Sequence, residues 1–177
     1  MKGEFWTLTA VLALAAALSA CNQSAPPAET VASPAAAADT SAARGSQLVL
    51  LGGCDDCHTP QLPNGEPDMS RRLSGVPEGS ALPPAIPGVV TTLNLAWRGP
   101  WGLSEARNLT PDPQNGIGSW TQQQFLDTMR SGKDPAGRAL QPPMPFPNYG
   151  RLPDSDLIAL FNFLKTVPPN SNKVTGP

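Results

Sequence analysis

The sequence has very little histidine, cysteine and charge. Its 177 residues include one histidine, three cysteines and one tyrosine, and only 15% of the residues are charged. With one histidine and no second cysteine pair, a four-ligand zinc site would need a carboxylate as its fourth ligand. The formal net charge is −2 and no basic stripe is present, so nucleic acid is not an expected partner.

Proline and glycine, by contrast, are plentiful. The chain has 22 prolines and 16 glycines, which predict long irregular loops rather than a compact run of helices. Its length allows one domain together with an additional segment.

The five residues Cys54–His58 read Cys-Asp-Asp-Cys-His, and Cys-x-x-Cys-His is the pattern that attaches a c-type haem covalently. Thiols three positions apart lie on one side of a helical turn, where each can add to one haem vinyl group as a thioether. The adjacent imidazole of His58 is then held beneath the porphyrin, where a ring nitrogen can bind iron. Because this is the only histidine, a bis-histidine haem is excluded, and hydrolytic chemistry lacks its usual base.

Two other kinds of site also use a Cys-x-x-Cys pair. A redox pair of the thioredoxin type lies in a βαβ pattern, and no such pattern surrounds Cys54 and Cys57. A zinc site would have to recruit a carboxylate. Covalent haem is therefore the favoured interpretation, with zinc or coincidence as the alternatives.

Residues 1–20 have the pattern of an export signal. Their apolar run, Phe5–Ala20, has 16 residues, which is short for a transmembrane helix and suits the core of a signal peptide. The run ends in Leu-Ser-Ala before Cys21 and resembles the lipobox of bacterial lipoproteins. That family is cut before the cysteine, which is then acylated, so Cys21 is the expected lipidation site. An ordinary secreted protein cleaved after Ala20 and an uncleaved anchor are the alternatives.

Composition divides the rest of the chain. Residues 21–43 are almost entirely Ala, Ser, Pro, Thr and Glu, which predicts a disordered tether. The folded domain is expected over 44–168 and a C-terminal tail over 169–177. Within the domain, residues 59–107 are rich in turn signals and predict a long loop insertion. Residues 89–95 have strand-like composition there, so a short hairpin is expected.

The apolar periodicity predicts a mainly α fold of short helices joined by long Pro- and Gly-rich loops. One helix is expected through 47–51, after a cap at Gly45 or Ser46. A second opens with a capping box at residues 121–124. A third begins around Asp154 and shows leucine and phenylalanine on one face. These two or three short helices are expected to surround the covalent haem.

Three methionines outside the signal are candidates for the other face of the iron. Met129 shares a helix face with Phe125, where core packing is the better interpretation. Met69 lies eleven residues past His58 in a flexible loop. Met144 stands in Pro-Pro-Met-Pro, whose prolines stiffen the loop and leave the sulfur little entropy to lose. Met144 is therefore the expected sixth ligand, and a methionine ligand raises the reduction potential.

Several sequence blocks, in this order, resemble the monohaem, class I-like cytochrome c domains, over about residues 44–168. The resemblance is greatest to exported bacterial cytochromes found beside periplasmic dehydrogenases or terminal oxidases. The blocks are Gly52–Pro60, Gly99–Gly102, Asn108–Asp112, Gly116–Thr121 and Pro142–Pro145.

The resemblance implies roles for further residues. In that family the methionine of the Pro-Pro-Met-Pro block is the distal ligand, which corresponds to Met144. Other blocks line the haem, with polar groups near its propionates. The contacts implied are Asn108, Thr110 and Trp120, with Arg98 or Arg107 as a propionate partner. Simple turn chemistry is the alternative for each of these positions.

The implied function is electron transfer rather than catalysis, because an iron with His58 and Met144 on its two faces keeps both bonds when its charge changes by one. The expected protein is exported, is lipid-anchored to a bacterial membrane, faces the periplasm and carries one haem c with its iron. It passes electrons from a dehydrogenase to an oxidase or another cytochrome, as a free carrier or as the cytochrome subunit of an oxidoreductase complex.

Two rival functions stay open. In the first, Met144 is absent from the iron, and the open sixth site serves a haem peroxidase or a gas-binding protein. In the second, the chain is a structural or interaction subunit that docks on a dehydrogenase through residues 59–107. The second is compatible with electron transfer.

Overall fold

The structure is a computed structural model that describes residues 37–86 and 88–176. Across these residues it contains five α-helices, a 3-10 helix at Met69–Arg71 and a three-stranded sheet. The helices are α1 (Ala42–Leu51), α2 (Cys54–His58), α3 (Gln122–Ser131), α4 (Phe146–Tyr149) and α5 (Asp154–Leu164). The strands are β1 (Val90–Thr92), β2 (Ala96–Gly99) and β3 (Gly102–Glu105). The mainly α expectation is therefore confirmed in part, with a small sheet added.

The predicted signal peptide (1–20), Cys21 and most of the predicted tether lie outside the described residues. None of the helices within 37–86 and 88–176 has the length and apolar character needed to cross a membrane.

Helices α1 and α5 cross in close contact. Ser41 caps α1 by accepting from the backbone N–H of Arg44, so the helix begins before the predicted cap. Gly45 is a packing residue instead, because an added Cβ would lie only 1.9 Å from the carbonyl oxygen of Ala159. The Arg44 guanidinium donates to both carboxylate oxygens of Asp156 at 2.9 and 3.0 Å. This contact joins the first and last helices of the described region.

The main core lies between α1, α3 and α5. The capping box of Thr121 and Gln124 opens α3, as predicted, and Gly132 ends the helix in the left-handed conformation. The ring centroids of Phe125 and Phe161 are 5.4 Å apart. The buried members of this core are Val49, Leu73, Ile117, Phe125, Leu126, Met129, Leu157, Leu160, Phe161, Phe163, Leu164 and Val167.

The segment 59–107, expected to be a long loop, holds the sheet. Strands β1 and β2 form the predicted hairpin, in which the three residues 93–95 connect Thr92 to its partner Ala96. Leu93 and Asn94 have φ values of 54° and 51° in this turn. Strand β3, which was not predicted, pairs antiparallel with β2. A second small core, made of Val76, Leu95, Ala96 and Ala106, lies in this part of the chain.

Candidate haem site

Helix α2 presents the attachment motif. Gly53 precedes it with φ of 64°, a left-handed conformation that favours glycine and separates α2 from α1. The thiols of Cys54 and Cys57 are free and half-buried on this one turn. Burial raises the pKa of Cys54 to about 11 and also raises the pKa of Cys57. Thioredoxin-type pairs have a lowered thiol pKa, so the electrostatics here differ from those of a redox pair.

The imidazole of His58 is oriented by the backbone. Its Nδ1 lies 2.8 Å from the carbonyl oxygen of Arg107. Because a carbonyl oxygen can only accept, Nδ1 carries the proton and the lone pair is on Nε2. Burial lowers the pKa of His58 below its ordinary value of 6.5, which favours the neutral ring that can bind a metal. A backbone carbonyl on the far nitrogen is a usual way to orient a metal-binding histidine.

Asp55, between the two cysteines, anchors the motif to the rest of the domain. Its carboxylate accepts from Nε and Nη2 of Arg72 at 2.9 and 2.6 Å, and from the Thr59 hydroxyl at 2.7 Å. The Thr59 oxygen in turn accepts from the backbone N–H of Leu73 at 3.0 Å. The Arg72 guanidinium also lies 5.2 Å from the centre of the Phe163 ring, on α5. No local sequence pattern indicates this network.

The three methionines have different environments. Met69 is 58% exposed, whereas Met129 is 7% exposed within the main core. Met144 is half-buried and packs against the main core, as do Cys54 and Trp120. The structure thus brings three of the predicted site residues to one apolar cluster.

Tyr149 joins the methionine segment to the attachment motif. It ends α4, the short helix that follows Met144, and its hydroxyl donates to the carbonyl oxygen of Gly52. Burial, followed by the nearby Cys54 and Cys57 thiols, raises the pKa of Tyr149. The prolines around α4 had predicted only a loop, so this residue was missed. Its one signal was that it is the only tyrosine in the chain.

Asn108 and Thr110 lie with the C-terminal segment. The Asn108 amide donates to the carbonyl oxygens of Asn170 and Asn172 at 2.7 and 3.0 Å. Its side-chain oxygen accepts from the Thr110 hydroxyl at 2.7 Å. Leu109, between them, packs on the same apolar core as Cys54, Trp120 and Met144. Asn108 and Thr110 hold the chain next to the carbonyl that His58 contacts.

The two arginines considered as propionate partners also have backbone contacts. Nε of Arg98 donates to the carbonyl oxygen of Pro83 at 3.2 Å. Nη1 and Nη2 of Arg107 donate to the carbonyl oxygens of Val174 and Gly176 at 3.1 and 2.7 Å.

These residues fit a covalent haem. Two thiols share a helical turn, the neighbouring imidazole keeps a lone pair on Nε2, and the adjoining apolar cluster contains a thioether. A haem held by Cys54, Cys57 and His58 would supply one-electron chemistry at its iron. Within the described part of the chain, no group of three or more His, Cys, Asp or Glu side chains could hold a metal ion by itself. This fits haem better than the zinc alternative.

Comparison with known proteins gives relatives but no matching family model. The chain is 30% identical over 120 residues to the cytochrome c subunit of the quinone alcohol dehydrogenase of Gluconobacter oxydans, covering 68% of this chain and 20% of the relative. It is 33% identical over 128 residues to the fructose dehydrogenase cytochrome subunit of Gluconobacter japonicus, covering 71% and 22%. It is 31% identical over 129 residues to a "diheme cytochrome c-type" protein of Cereibacter sphaeroides, covering 73% and 37%. The chain spans well under half the length of each of these relatives.

Proposed function

The chain is a homologue of the cytochrome c subunits of bacterial dehydrogenases, and from this premise we propose that it is a monohaem electron carrier with His58 and Met144 as the iron ligands. Its relatives are electron-transfer subunits of dehydrogenases rather than the catalytic subunits, and this chain is likewise not an enzyme in its own right. Cys54 and Cys57 hold the haem covalently in this proposal.

The observation that carries the proposal is the meeting of two distant segments. The Tyr149 hydroxyl donates to the Gly52 carbonyl across 97 residues of sequence, so the chain that follows Met144 returns to the attachment motif. Met144 and Cys54 pack on the same apolar core. The Arg107 carbonyl fixes the ring of His58 at the attachment motif. This arrangement favours an iron with a ligand on each face over one with an open sixth site.

One haem per chain follows from the residues available. The sequence has one Cys-x-x-Cys-His motif and no second histidine. The diheme relative is much longer, and this chain covers only 37% of it. A second haem of that relative can therefore belong to a part that this chain does not match.

The partners and the location complete the proposal. A dehydrogenase is the electron donor, and an oxidase or another cytochrome is the acceptor. The signal at 1–20 exports the chain, Cys21 receives the lipid, and the tether at 21–43 holds the domain 44–168 at a bacterial membrane on the periplasmic side. The 59–107 segment and the tail at 169–177 belong to that exported part.

The deciding experiment is the visible spectrum of the purified, haem-loaded protein and its methionine variants. We expect haem colour that survives denaturation, a low-spin ferric spectrum and the weak far-red band of a methionine–iron bond. Met144→Ala should abolish that band and let the reduced protein bind carbon monoxide rapidly. Met69→Ala, at the exposed methionine, is the matched control and should keep the band.

Three outcomes would contradict the proposal. A high-spin ferric spectrum with rapid carbon monoxide binding in the unmodified protein would favour the peroxidase or gas-binding rival. A band that survives Met144→Ala would assign the sixth ligand elsewhere. Absence of covalent haem would remove the basis of the proposal.

A further inference from the structure

A hydroxyl on the sheet contacts the methionine loop. Ser104, in β3, is 6% exposed, and its Oγ lies 2.6 Å from the carbonyl oxygen of Pro142. Pro142 is two residues before Met144. The Trp101 indole N–H donates to the same Oγ at 3.3 Å. Since the carbonyl and the indole are an acceptor and a donor respectively, the Ser104 proton is directed to Pro142.

The position of Ser104 is fixed by its strand. It pairs with Trp97 of β2 in the antiparallel register, and Leu95 and Ala96, just before, are fully buried in the small second core. Ser104 is therefore a rigid point of attachment, 38 residues from its partner in sequence.

The methionine loop is also held at both of its ends. On the near side, the backbone N–H of Leu140 donates to the Gly132 carbonyl at 2.8 Å. On the far side, Arg130 donates to the carbonyl of Gly150 and, at 2.7 Å, to that of Leu152. Between these anchors, the Ser104 bond reaches the loop close to the methionine itself.

We propose that Ser104 is a positioning residue for the sixth ligand. Its hydroxyl holds the Pro142 carbonyl and so keeps the Met144 thioether in position as the sixth ligand. Trp101 orients the Ser104 hydroxyl. Proline fixes φ at residues 142, 143 and 145, so a constraint at the Pro142 carbonyl is passed on to Met144 with little loss. This inference rests on the proposed role of Met144.

The test uses the haem-loaded full chain and Ser104→Ala. The variant should keep covalent haem and the far-red band, but the methionine should detach more readily because the Pro142 carbonyl has lost its hydrogen-bond donor. We expect carbon monoxide to bind the reduced variant roughly tenfold faster than the unmodified protein, in line with the loss of one hydrogen bond. The reduction potential should also fall, because methionine ligation raises it.

Three further variants separate positioning from general stability. Ser104→Thr keeps a hydroxyl and should restore slow carbon monoxide binding. Trp101→Phe removes the indole N–H together with part of the ring, leaves the Ser104 hydroxyl in place, and should raise the binding rate less than Ser104→Ala does. Thr91→Val removes another hydroxyl-to-carbonyl bond of the same sheet, the one to Ala96 at 3.0 Å, and should leave the rate unchanged.

The outcomes are distinguishable. Unchanged carbon monoxide binding in Ser104→Ala, with Met144→Ala fully open, would overturn the positioning role and leave the proposed function intact. An equal increase in Thr91→Val would also overturn it, since the effect would then come from a loosened sheet. If Ser104→Ala does not fold, an unchanged rate of carbon monoxide binding in Trp101→Phe would likewise overturn the positioning role. A native protein without the far-red band would instead refute the proposed ligand.

Discussion

At the scale of single residues, Asp55 is more than a spacer between the two cysteines. Burial by itself would raise the pKa of its carboxyl group, but the donated hydrogen bonds of Arg72 and Thr59 outweigh that and hold the pKa below its ordinary value of 3.8. The ionised form of Asp55 is therefore more stable in the folded chain than in the unfolded one. The stability it contributes is present above the ordinary pKa and is lost as the pH falls through the folded value.

Asp55→Asn should therefore lower the free energy of unfolding at pH 7 by about 1–2 kcal/mol, because a partly buried carboxylate with charged donors is replaced by a neutral amide. The difference between the unmodified protein and the variant should shrink below about pH 4, as the Asp55 carboxylate becomes protonated. Urea unfolding at pH 7 and pH 3 measures the loss of unfolding free energy and its decrease at low pH. Asp56→Asn, at the exposed neighbour, is the control. An equal difference at the two pH values, or an equal loss in the control, would contradict the role given to Asp55.

The site residues that the sequence predicts belong to a local motif. The site residues that were missed act through contacts between segments far apart in the sequence. Cys54, Cys57 and His58 form a local pattern whose spacing carries its own chemistry, so the sequence suffices. The Arg107 carbonyl is 49 residues from the ring it orients, and Ser104 is 38 residues from Pro142. Nothing in the local sequence indicates such contacts, since any residue has a carbonyl and serine is common in turns.

The same distinction applies to elements. Helix α3 has a capping box and helix α5 an apolar face with a clear period, and both helices begin close to the predicted positions. Helix α4 was missed because Pro145 and Pro147 suggest a loop, although proline is tolerated in a first helical turn. Strand β3 was missed because Gly102 and Ser104 have little strand propensity, and pairing with β2 overrides that preference.

The C-terminal segment after α5 is a strap that is hydrogen-bonded to two loops of the domain. The Asn172 amide donates to the carbonyl oxygens of Ser74 and Val76, both at 2.8 Å, and its oxygen accepts from the backbone N–H of Glu78 at 3.0 Å. Asn108 binds the same segment, next to the residue whose carbonyl meets His58. The strap therefore connects residues 74–78 with Asn108, which follows the residue whose carbonyl contacts His58.

Asn172→Ala should lower the free energy of unfolding by about 1–3 kcal/mol, because three backbone groups lose their partner together. The reduction potential of the haem-loaded protein should also shift, since the carbonyl on His58 Nδ1 tunes the ligand. Chemical denaturation and potentiometry measure the two effects. Asn64→Ala removes the hydrogen bond from the Asn64 side-chain amide to the Glu66 carboxylate in an exposed loop. This variant should leave the free energy of unfolding and the reduction potential almost unchanged. A variant with unaltered stability and potential would show that the strap does not act on the site.

At the scale of the whole molecule, the domain is a module that its relatives carry within longer chains. This chain covers 20% of the alcohol dehydrogenase subunit and 22% of the fructose dehydrogenase subunit. In the arrangement proposed for this chain, the module follows an export signal at 1–20 and a tether at 21–43 instead. Its described part must therefore hold a haem with one main core and one small sheet, and several apolar side chains of the core remain only half-buried.

A bound haem should cover the apolar side chains that the folded chain leaves partly exposed. Cys54, Trp120, Met144 and Tyr149 pack on the main core yet keep partial exposure, which costs the folded state apolar burial. Cys54→Ala combined with Cys57→Ala, which prevents attachment, should lower the urea midpoint and the denaturant slope, because less surface is buried on folding. Cys21→Ser removes the remaining cysteine and should retain haem, midpoint and slope. If the double variant unfolds with the midpoint and slope of the haem-loaded protein, the fold is complete without haem and the half-buried cluster needs another explanation.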